Sequence, residues 1–367
     1  MNLRSAAVAL SALALASSLL AGCSSVVENA TPTPVAFKAC LVTTAAGVND
    51  GARNQLAYFG LQQATVVNGS SMSIVQPKSD SVDAITRAGK KLVSRGCNVV
   101  FALGANAVAG LTPLAQGNPD RYFRAIDTGL ASYLKLQETN TVPSPANLWV
   151  TPLDVRTAYL QAGYLAAAAT KTGTVGIIAA GSDPDAVDAV WYFRQGVYQY
   201  SSRHGRLVNI LGADRAEPGA WTFVTQDSPP GSLKLKTKGL IAGGADVILP
   251  VGVNYLPVAQ VAAEANAQVI GSDSDWVKQA RFSTVKGAIL ASVVKPIAEV
   301  LVTDVTNAMT LAAADGTHDA NLLSPQSVTL TEEADVAWPT GIGGELRELA
   351  SDYSAGNLSV IEEPANS

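Results

Sequence analysis

The sequence predicts an α/β protein with two similar lobes, each built on a parallel β-sheet. Short apolar segments alternate with amphipathic helical segments from residue 37 to residue 313. A polar, proline-containing stretch at 133–146 divides this pattern into two halves. Hydrophobic residues make up 48% of the chain and charged residues only 15%, so the chain can bury a large core. Strands alternating with helices in this way are typical of parallel sheets covered by helices.

The first half contains four apolar segments of strand length, with helical spacing between them. The clearest helix is 81–95, in which Val82, Ile85 and Leu92 fall on one face. The predicted strands are 37–44, 71–75, 97–103 and 122–127, and the predicted helices are 53–64, 81–95 and 106–116.

The second half repeats the pattern. The segment 155–170 is an alanine-rich helix, and 174–180 is an unbroken apolar run that is typical of a strand buried on both faces. The predicted strands are 148–151, 174–180, 207–211, 246–251, 268–273 and 287–295, and the predicted helices are 155–170, 185–203, 231–242, 255–266 and 297–313.

The first 25 residues have the layout of a secretory signal. Arg4 supplies a positive charge, an apolar stretch follows, and 20–23 reads Leu-Ala-Gly-Cys. This ending resembles the bacterial lipobox, in which a lipid is attached to the cysteine. The alternatives are a plain cleaved signal or a transmembrane helix, but the apolar stretch is short for a span of about 20 residues. We therefore expect a signal peptide over 1–22, lipid on Cys23, a linker over 23–36, and an extracytoplasmic protein anchored to the cell membrane.

Charge and metal-ligating residues exclude several classes of function. The net charge is −5 and no long basic run is present, which argues against nucleic-acid binding. The chain has two histidines and no paired Cys/His spacing, so we expect neither a metal site nor a cofactor.

Two cysteines remain besides Cys23. Cys40 and Cys97 each lie in an apolar run that is predicted to form a strand. An extracytoplasmic location permits a disulfide between them. Two reduced cysteines in the core are the simpler interpretation, and this is the expected state.

Charged residues end several predicted strands. Asp127 and Asp273 each follow an apolar run, and Lys295 closes a later one. Ligands of open α/β sheets bind beyond the carboxyl ends of the strands. There, a carboxylate can accept hydrogen bonds from two neighbouring hydroxyl groups, and a lysine can donate to an oxygen of the same ligand. Each of these residues can instead be a solvated loop charge.

The end of the first strand and the loop after it supply three more binding candidates: Thr44, Asn49 and Asp50. For Asn49 and Asp50, capping the following helix is the favoured interpretation.

Two aromatic residues are candidate walls of a ligand cleft. Trp191 and Tyr255 lie where the chain reverses direction, as does Trp276, and each can stack on an aromatic ligand. Packing in the core or between the lobes is an equal alternative for each.

Enzymatic chemistry has little support. Asp127 and Asp273 can form a carboxylate pair for hydrolysis of glycosides or nucleosides. However, the sequence contains no G-x-S-x-G nucleophile elbow, no P-loop and no G-x-G-x-x-G after a strand. We therefore expect a binding protein rather than an enzyme, with no catalytic residues.

An ordered set of short motifs resembles the basic membrane protein family, the PnrA-like purine-nucleoside-binding lipoproteins that serve ABC importers. Leu41-Val42-Thr43 followed by Gly47-Val48-Asn49-Asp50 and Asn54-Gln55 is similar to the opening signature of that family. The resemblance extends over roughly 37–300, through four later stretches at 118–127, 162–176, 269–275 and 292–295.

The resemblance implies a fold like that of type I periplasmic-binding proteins, with two Rossmann-like lobes, three crossovers and a ligand cleft between the lobes. It implies that Asp127, Asp273 and Lys295 bind ribose hydroxyls. On the base side, the family has an aspartate followed by a small polar residue, and a phenylalanine before Asn-Gln. This chain has Thr44, Ala45 and Arg53 there, and the guanidinium of Arg53 is a further binding candidate that can stack on a base or bind an acidic group. The ligand is therefore expected to be a nucleoside or nucleoside-like compound that differs from the family's purines, and the alternatives are another ribose- or ribityl-bearing compound or an unrelated ligand.

The combined prediction is a lipid-anchored, monomeric solute-binding protein that passes a small polar ligand to an ABC permease and its ATPase. The alternatives are a ligand sensor or surface-binding protein on the same fold and, third, a secreted nucleoside hydrolase. The predicted lobes are 37–147 plus roughly 273–310, and 148–272 plus roughly 311–360, followed by a tail at 361–367.

Overall fold

A computed structural model describes most of the chain after the predicted linker. The predicted signal peptide 1–22, the lipidation site Cys23, the linker 23–36 and the tail 361–367 lie outside the described residues. Within the described part, none of the helices combines the length and the apolar character that crossing a membrane requires. The described residues are 37–129, 145–180, 184–212, 223–225, 228–313, 326–332 and 336–359.

The first lobe is a five-stranded parallel sheet with the strand order β2-β1-β3-β4-β5. Its strands are β1 (Lys38–Val42), β2 (Ser71–Val75), β3 (Val99–Leu103), β4 (Tyr122–Ile126) and β5 (Leu148–Thr151), and its helices are α1 (Arg53–Asn68), α2 (Val82–Ser94) and α3 (Ala107–Gly117).

Local sequence explains these elements. Helix α2 begins after Ser81, whose hydroxyl accepts a hydrogen bond from the backbone N–H of Ala84 at 3.4 Å. Its apolar face is buried, as the periodicity of Ile85 and Leu92 predicts. All residues of β3 are buried, which is typical of a central strand in a parallel sheet.

The second lobe is a larger sheet with the strand order β14-β12-β11-β10-β7-β8, in which β9 also pairs with β7 and only β14 is antiparallel. A separate parallel pair joins β13 to β6. The strands are β6 (Leu153–Asp154), β7 (Thr174–Ala180), β8 (Asn209–Leu211), β9 (Phe223–Val224), β10 (Val247–Val251), β11 (Gln268–Gly271), β12 (Ile289–Val294), β13 (Gln326–Ser327) and β14 (Thr329–Glu332). The remaining helices are α4 (Arg156–Ala169), α5 (Pro184–His204), α6 (Pro230–Ala242), α7 (Tyr255–Glu264), α8 (Ile297–Ala313) and α9 (Ile342–Ser354).

Helices α4 and α5 approach each other closely because each has a glycine at the contact. A Cβ atom at Gly163 would lie 1.9 Å from the carbonyl oxygen of Phe193, and one at Gly196 would lie 2.0 Å from that of Leu160. Helix α9 covers α4, where Gln161 donates a hydrogen bond to the carbonyl of Leu346 at 2.9 Å. The described residues after 325 therefore complete the second lobe.

Two strands differ from the predicted lobe boundaries. Strand β5, expected to begin the second lobe, pairs with β4 in the first sheet. Strand β12, expected in the first lobe, pairs with β11 in the second sheet. The chain then returns to the first lobe in α8, where a Cβ atom at Gly60 of α1 would lie 2.7 Å from the carbonyl oxygen of Ala298. Apolar patterning marks a segment as a strand but carries no information on the sheet it joins.

The expected state of the cysteines is wrong. Cys40 and Cys97 form a disulfide, with their Cα atoms 6.0 Å apart. Strands β1 and β3 are adjacent in the sheet, and Cys97 lies just before β3, so the two side chains meet on the same face. Sequence patterning identified two buried cysteines but not the adjacency of their strands.

Candidate functional site

A cavity of about 460 Å³ with a mixed polar and apolar lining opens at the carboxyl ends of strands from both sheets. One wall comes from the loop between β1 and α1, and the other from the second lobe. Three helices direct their N-termini at it: α1, α6 and α7. The lining includes five of the binding candidates predicted from the sequence and one further charged residue: Asn49, Asp50, Arg53, Tyr255 and Asp273, and Arg281.

A buried lysine joins two carboxylates next to this cavity; of the three residues, Asp273 lines the cavity, whereas Asp127 and Lys295 lie behind its lining. The Lys295 Nζ atom lies 3.0 Å and 3.2 Å from the two carboxylate oxygens of Asp127. The same Nζ lies 3.3 Å from Oδ1 of Asp273. Lys295 follows β12 at the crossover between the lobes, so it connects the end of a first-lobe strand with the end of a second-lobe strand. The structure thus brings together the three residues that the sequence predicts to bind hydroxyl groups.

Both aspartates have an unusual backbone conformation. The φ angle is 55° at Asp127 and 67° at Asp273, within the left-handed region that residues other than glycine seldom adopt. Asp127 directly follows β4, Asp273 lies two residues after the end of β11, and both carboxylates reach Lys295. Backbone strain of this kind concentrates at functional sites.

Tyr255 supports the second-lobe carboxylate. Its hydroxyl donates a hydrogen bond to Oδ2 of Asp273 and accepts one from the backbone N–H of Gly252 at 3.2 Å. Burial, followed by the charge of Asp273, raises the pKa of Tyr255 well above its ordinary value. The phenol therefore remains a protonated donor, and Asp273 is held in one orientation.

Arg53 extends the charged group toward the first lobe. It is the first residue of α1, and its Nη1 lies 3.5 Å from Oδ2 of Asp127. Two cations, Arg53 and Lys295, therefore accompany the two carboxylates of Asp127 and Asp273. All four side chains are at most 6% exposed, so solvent screens this balance only weakly.

Thr44 is buried and is held by the chain itself. Its backbone N–H donates to Oδ1 of Asn54 at 2.8 Å, and its hydroxyl accepts from Nδ2 of Asn54 at 2.7 Å. Both bonds fix the end of β1 against the start of α1. The side chain of Thr44 is not among those that line the described cavity.

The side chain of Asp50 caps α1, which is the alternative that the sequence favoured. Its carboxylate accepts hydrogen bonds from the backbone N–H groups of Ala52 at 2.8 Å and of Asn54 and Gln55 at 3.1 Å. Burial raises the pKa of Asp50, and the bonds from these N–H groups oppose that shift. Asn49 is exposed at the cavity rim.

The two tryptophan candidates do not form a wall of the described cavity. Trp191 lies on α5 with the guanidinium of Arg194 5.6 Å from its ring. Trp276 is fully buried and stacks on Phe282, with the ring centroids 4.4 Å apart and the rings nearly parallel. Helix α5 packs on α4, and the position of Trp191 along the sequence did not indicate whether its side chain reaches the cavity.

Sequence reasoning missed one charged residue of the cavity lining, Arg281. Arg281 belongs to a short 3₁₀ turn after Trp276, and its guanidinium reaches across the cavity to the carbonyl oxygen of Gly51. No periodicity or strand end marks this position, so the sequence carried no signal for it. Within the described residues, no group of three or more acidic, histidine or cysteine side chains is arranged to hold a metal ion.

One curated relative resembles half of the chain. The ABC transporter nucleoside-binding protein BmpA of Lactococcus lactis subsp. cremoris (strain MG1363) is 34% identical over 178 residues, which is 47% of each protein. The predicted resemblance to the basic membrane protein family is confirmed over these 178 residues. The chain spans about half the length of this relative in the match, and no protein-family model matches the chain.

Solved structures show the fold. The ABC transporter system solute-binding protein from Aeropyrum pernix K1 matches with a TM-score of 0.69 and 15% identity, over 90% of this chain and 94% of that chain. The transcriptional activator of the comK gene from Bacillus halodurans matches with a TM-score of 0.62 and 18% identity, over 88% and 99%. At these identities the likeness concerns the fold alone. The chain therefore has the predicted two-lobed α/β fold of the type I periplasmic-binding-protein kind.

Proposed function

We propose that the protein is a lipid-anchored solute-binding protein of an ABC importer, and that it binds a nucleoside or a nucleoside-like polar compound in the cleft. The observation that carries the proposal is the buried Asp127–Lys295–Asp273 group at the ends of strands from both sheets. Two carboxylates and an ammonium suit a ligand with neighbouring hydroxyl groups, because each carboxylate accepts and the ammonium donates. The nucleoside-binding function of BmpA supports the same ligand class.

The base side of the cleft supports a ligand other than the usual purines. Arg53 occupies the position at which the family has a ring-stacking phenylalanine, and its guanidinium is held near Asp127. A guanidinium can stack on a base or bind an acidic group. Thr44 offers one hydroxyl where the family has a carboxylate, and that hydroxyl already bonds to Asn54.

The test is thermal unfolding of the protein without its signal and anchor, in the presence of purine and pyrimidine nucleosides, free bases, riboflavin and pentoses. A ligand at about 100 times its Kd adds about 2.7 kcal/mol to the free energy of unfolding. Shifts confined to nucleosides support the proposal, and their ranking identifies the preferred base. A panel without any shift contradicts the nucleoside assignment.

Membrane anchoring has a separate test. Several acyl chains on Cys23 give stable membrane attachment that a single chain does not. In cells expressing the full chain, an alkyne-labelled palmitate should label the protein, and Cys23→Ala should remove the label and shift the protein to the soluble fraction. Label retained by the Cys23→Ala variant contradicts lipidation at this residue.

A ligand sensor is the second candidate, because a fold of this kind also occurs in a transcriptional activator. A sensor binds the same ligands but has no permease. Co-purification of the membrane-anchored protein with a permease and an ATPase supports the importer, and nucleoside uptake that is unchanged after deletion of the gene supports the sensor.

We also propose that the protein is not an enzyme. The Nζ atom of Lys295 forms ion pairs with both Asp127 and Asp273, which engages the two carboxylates that a hydrolase would need. Incubation with nucleosides should leave them intact by chromatography. Release of free base that depends on Asp127 would contradict this proposal.

A further inference from the structure

A second-lobe arginine bonds to the first lobe at the cavity. Nη2 of Arg281 donates a hydrogen bond to the carbonyl oxygen of Gly51, which is 230 residues away in the sequence. Nε of the same guanidinium donates to Oε1 of Gln279 at 3.0 Å. The first bond joins the two walls of the cavity, and the second fixes the direction of the guanidinium.

Gly51 is shaped to receive this guanidinium. Its φ angle is +67°, and a Cβ atom on it would lie 1.4 Å from Nη1 and 1.8 Å from Cζ of Arg281. Only a glycine satisfies both conditions without displacing the arginine. The loop and the arginine therefore fit each other closely.

Other contacts hold both ends of this hydrogen bond. On the first lobe, Asp50 caps α1 and so holds the neighbouring carbonyl of Gly51 in place. On the second lobe, the guanidinium carbon of Arg281 lies 4.5 Å from the ring of Phe282, which stacks on Trp276. The ring of Trp276 lies 5.1 Å from that of Tyr255, whose hydroxyl binds Asp273. A continuous row of packed side chains thus connects the contact to the carboxylate group.

We propose that Arg281 is a positioning residue that latches the two lobes together over the bound ligand. Separation of the lobes breaks its bond to Gly51, so the bond favours the closed cleft and slows ligand release. The effect on release rests on the proposed function, whereas the effect on closure does not. A charge-assisted hydrogen bond of this kind corresponds to a change of about tenfold or more in an equilibrium constant.

The first experiment compares Arg281→Gln with Arg87→Gln, a matched substitution of an exposed arginine on α2. The probes are inosine and uridine, measured by stopped-flow fluorescence. We expect Arg281→Gln to raise the dissociation rate constant about tenfold and to change the association rate constant less than twofold, because most interface effects appear in dissociation. Arg87→Gln should change neither. A dissociation rate constant within twofold of the wild type overturns the proposal.

The second experiment needs no ligand. Small-angle X-ray scattering of the ligand-free protein should show a larger radius of gyration for Arg281→Gln than for Arg87→Gln, at equal melting temperatures. Identical scattering curves for the two variants overturn the latch even if no probe nucleoside binds. If the wild type binds neither inosine nor uridine, only the proposed function is contradicted.

A third variant separates the bond from the charge. Gly51→Ala should displace the guanidinium and reproduce the effect of Arg281→Gln, and the double variant should show no further change, because both substitutions remove the same contact. Additive effects of the two substitutions overturn the assignment of the latch to this contact.

Discussion

Arg124 on β4 and Asp127 just after β4 are both buried and charged, and each forms an ion pair with a residue that follows β12. The two ion pairs nevertheless differ in kind. Asp127 bonds to Lys295 at 3.0 Å and 3.2 Å, adjoining the cavity at the strand end. Three residues earlier, Arg124 lies inside the core, where its Nε is 3.7 Å from Oδ2 of Asp304 on α8. All of these side chains are at most 4% exposed.

The core pair is poorly satisfied. Nε and Nη2 of Arg124 and Oδ2 of Asp304 have no hydrogen-bond partner among the described residues, and the guanidinium carbon lies 3.2 Å from the ring centroid of Trp149. Burial lowers the pKa of Arg124 to about 9 and raises that of Asp304 to about 6. The cost of removing these charges from water therefore exceeds their mutual attraction.

The comparison shows that burial of opposite charges does not identify a binding site. The Asp127–Lys295 pair has short bonds, a second carboxylate, a left-handed backbone and an adjoining cavity. The Arg124–Asp304 pair has only burial and an aromatic ring. The first pair is expected to act on ligand affinity and the second on stability.

The largest expected effect is on stability. Arg124→Met leaves the carboxylate of Asp304 buried without its cation, so we expect a loss of about 3–5 kcal/mol in the free energy of unfolding at pH 7. Urea denaturation measures this loss. Nucleoside affinity should be unchanged, because neither side chain lines the described cavity.

A rescue variant is the control. Adding Asp304→Leu to Arg124→Met removes both charges and should restore stability to at least the wild-type value. If the double variant is as unstable as Arg124→Met, lost packing rather than the unpaired charge explains the effect, and the comparison fails.

The second prediction concerns ligand affinity. Asp273→Asn keeps a residue that tolerates the left-handed backbone but removes the charge that Lys295 and Tyr255 hold. We expect nucleoside affinity to fall about 100-fold, because hydrogen bonds to charged groups are worth about 1.5–3 kcal/mol each. Isothermal titration calorimetry measures the change.

The matched control is Asp275→Asn, which lies on the same loop and pairs with exposed Lys278. It should leave affinity unchanged. If the nucleoside affinity of Asp273→Asn is within threefold of the wild-type value, the proposed role of this carboxylate is wrong.

The third prediction is a pH dependence. The pKa of Asp304 in the folded protein, about 6, lies above the ordinary value of 3.8, so the folded state holds this proton more tightly than the unfolded state. Its contribution to stability is therefore fully present below about pH 4 and is lost as the pH rises through 6, an effect on the order of 1–3 kcal/mol.

The measurement compares the wild type with the Arg124→Met/Asp304→Leu variant by urea denaturation from pH 4 to pH 7. Subtracting the variant removes the contribution of all other carboxylates. The unfolding free energy of the wild type minus that of the variant should fall between pH 4 and pH 6 and then level off. A flat difference shows that Asp304 is ionised in the core throughout this range.

The smallest expected effect is on base preference. Arg53→Phe places an aromatic ring where the resemblance implies that the family has one, and aromatic stacking contributes about 0.5–1.5 kcal/mol. We expect the affinity ratio of inosine to uridine to rise about threefold to tenfold in calorimetric titrations. An unchanged ratio indicates that the side chain at position 53 does not face the base.

Sequence by itself determined the elements and the ends of the strands. Apolar runs and helical spacing identified the strands and helices, because both patterns report local burial of one face or both faces. They also showed that Asp127 and Asp273 end strands, which sufficed to predict that the two residues lie at the same side of their sheets.

Tertiary structure alone decided which distant residues meet. Lys295 lies 168 residues from Asp127, and Arg281 lies 230 residues from Gly51. The membership of β5 in the first sheet, the Cys40–Cys97 disulfide and the absence of Trp191 from the lining of the described cavity were settled in the same way. Local periodicity records how deeply a residue is buried, whereas its neighbour is set by the order of strands and the path of each crossover. These depend on the packing of the whole chain.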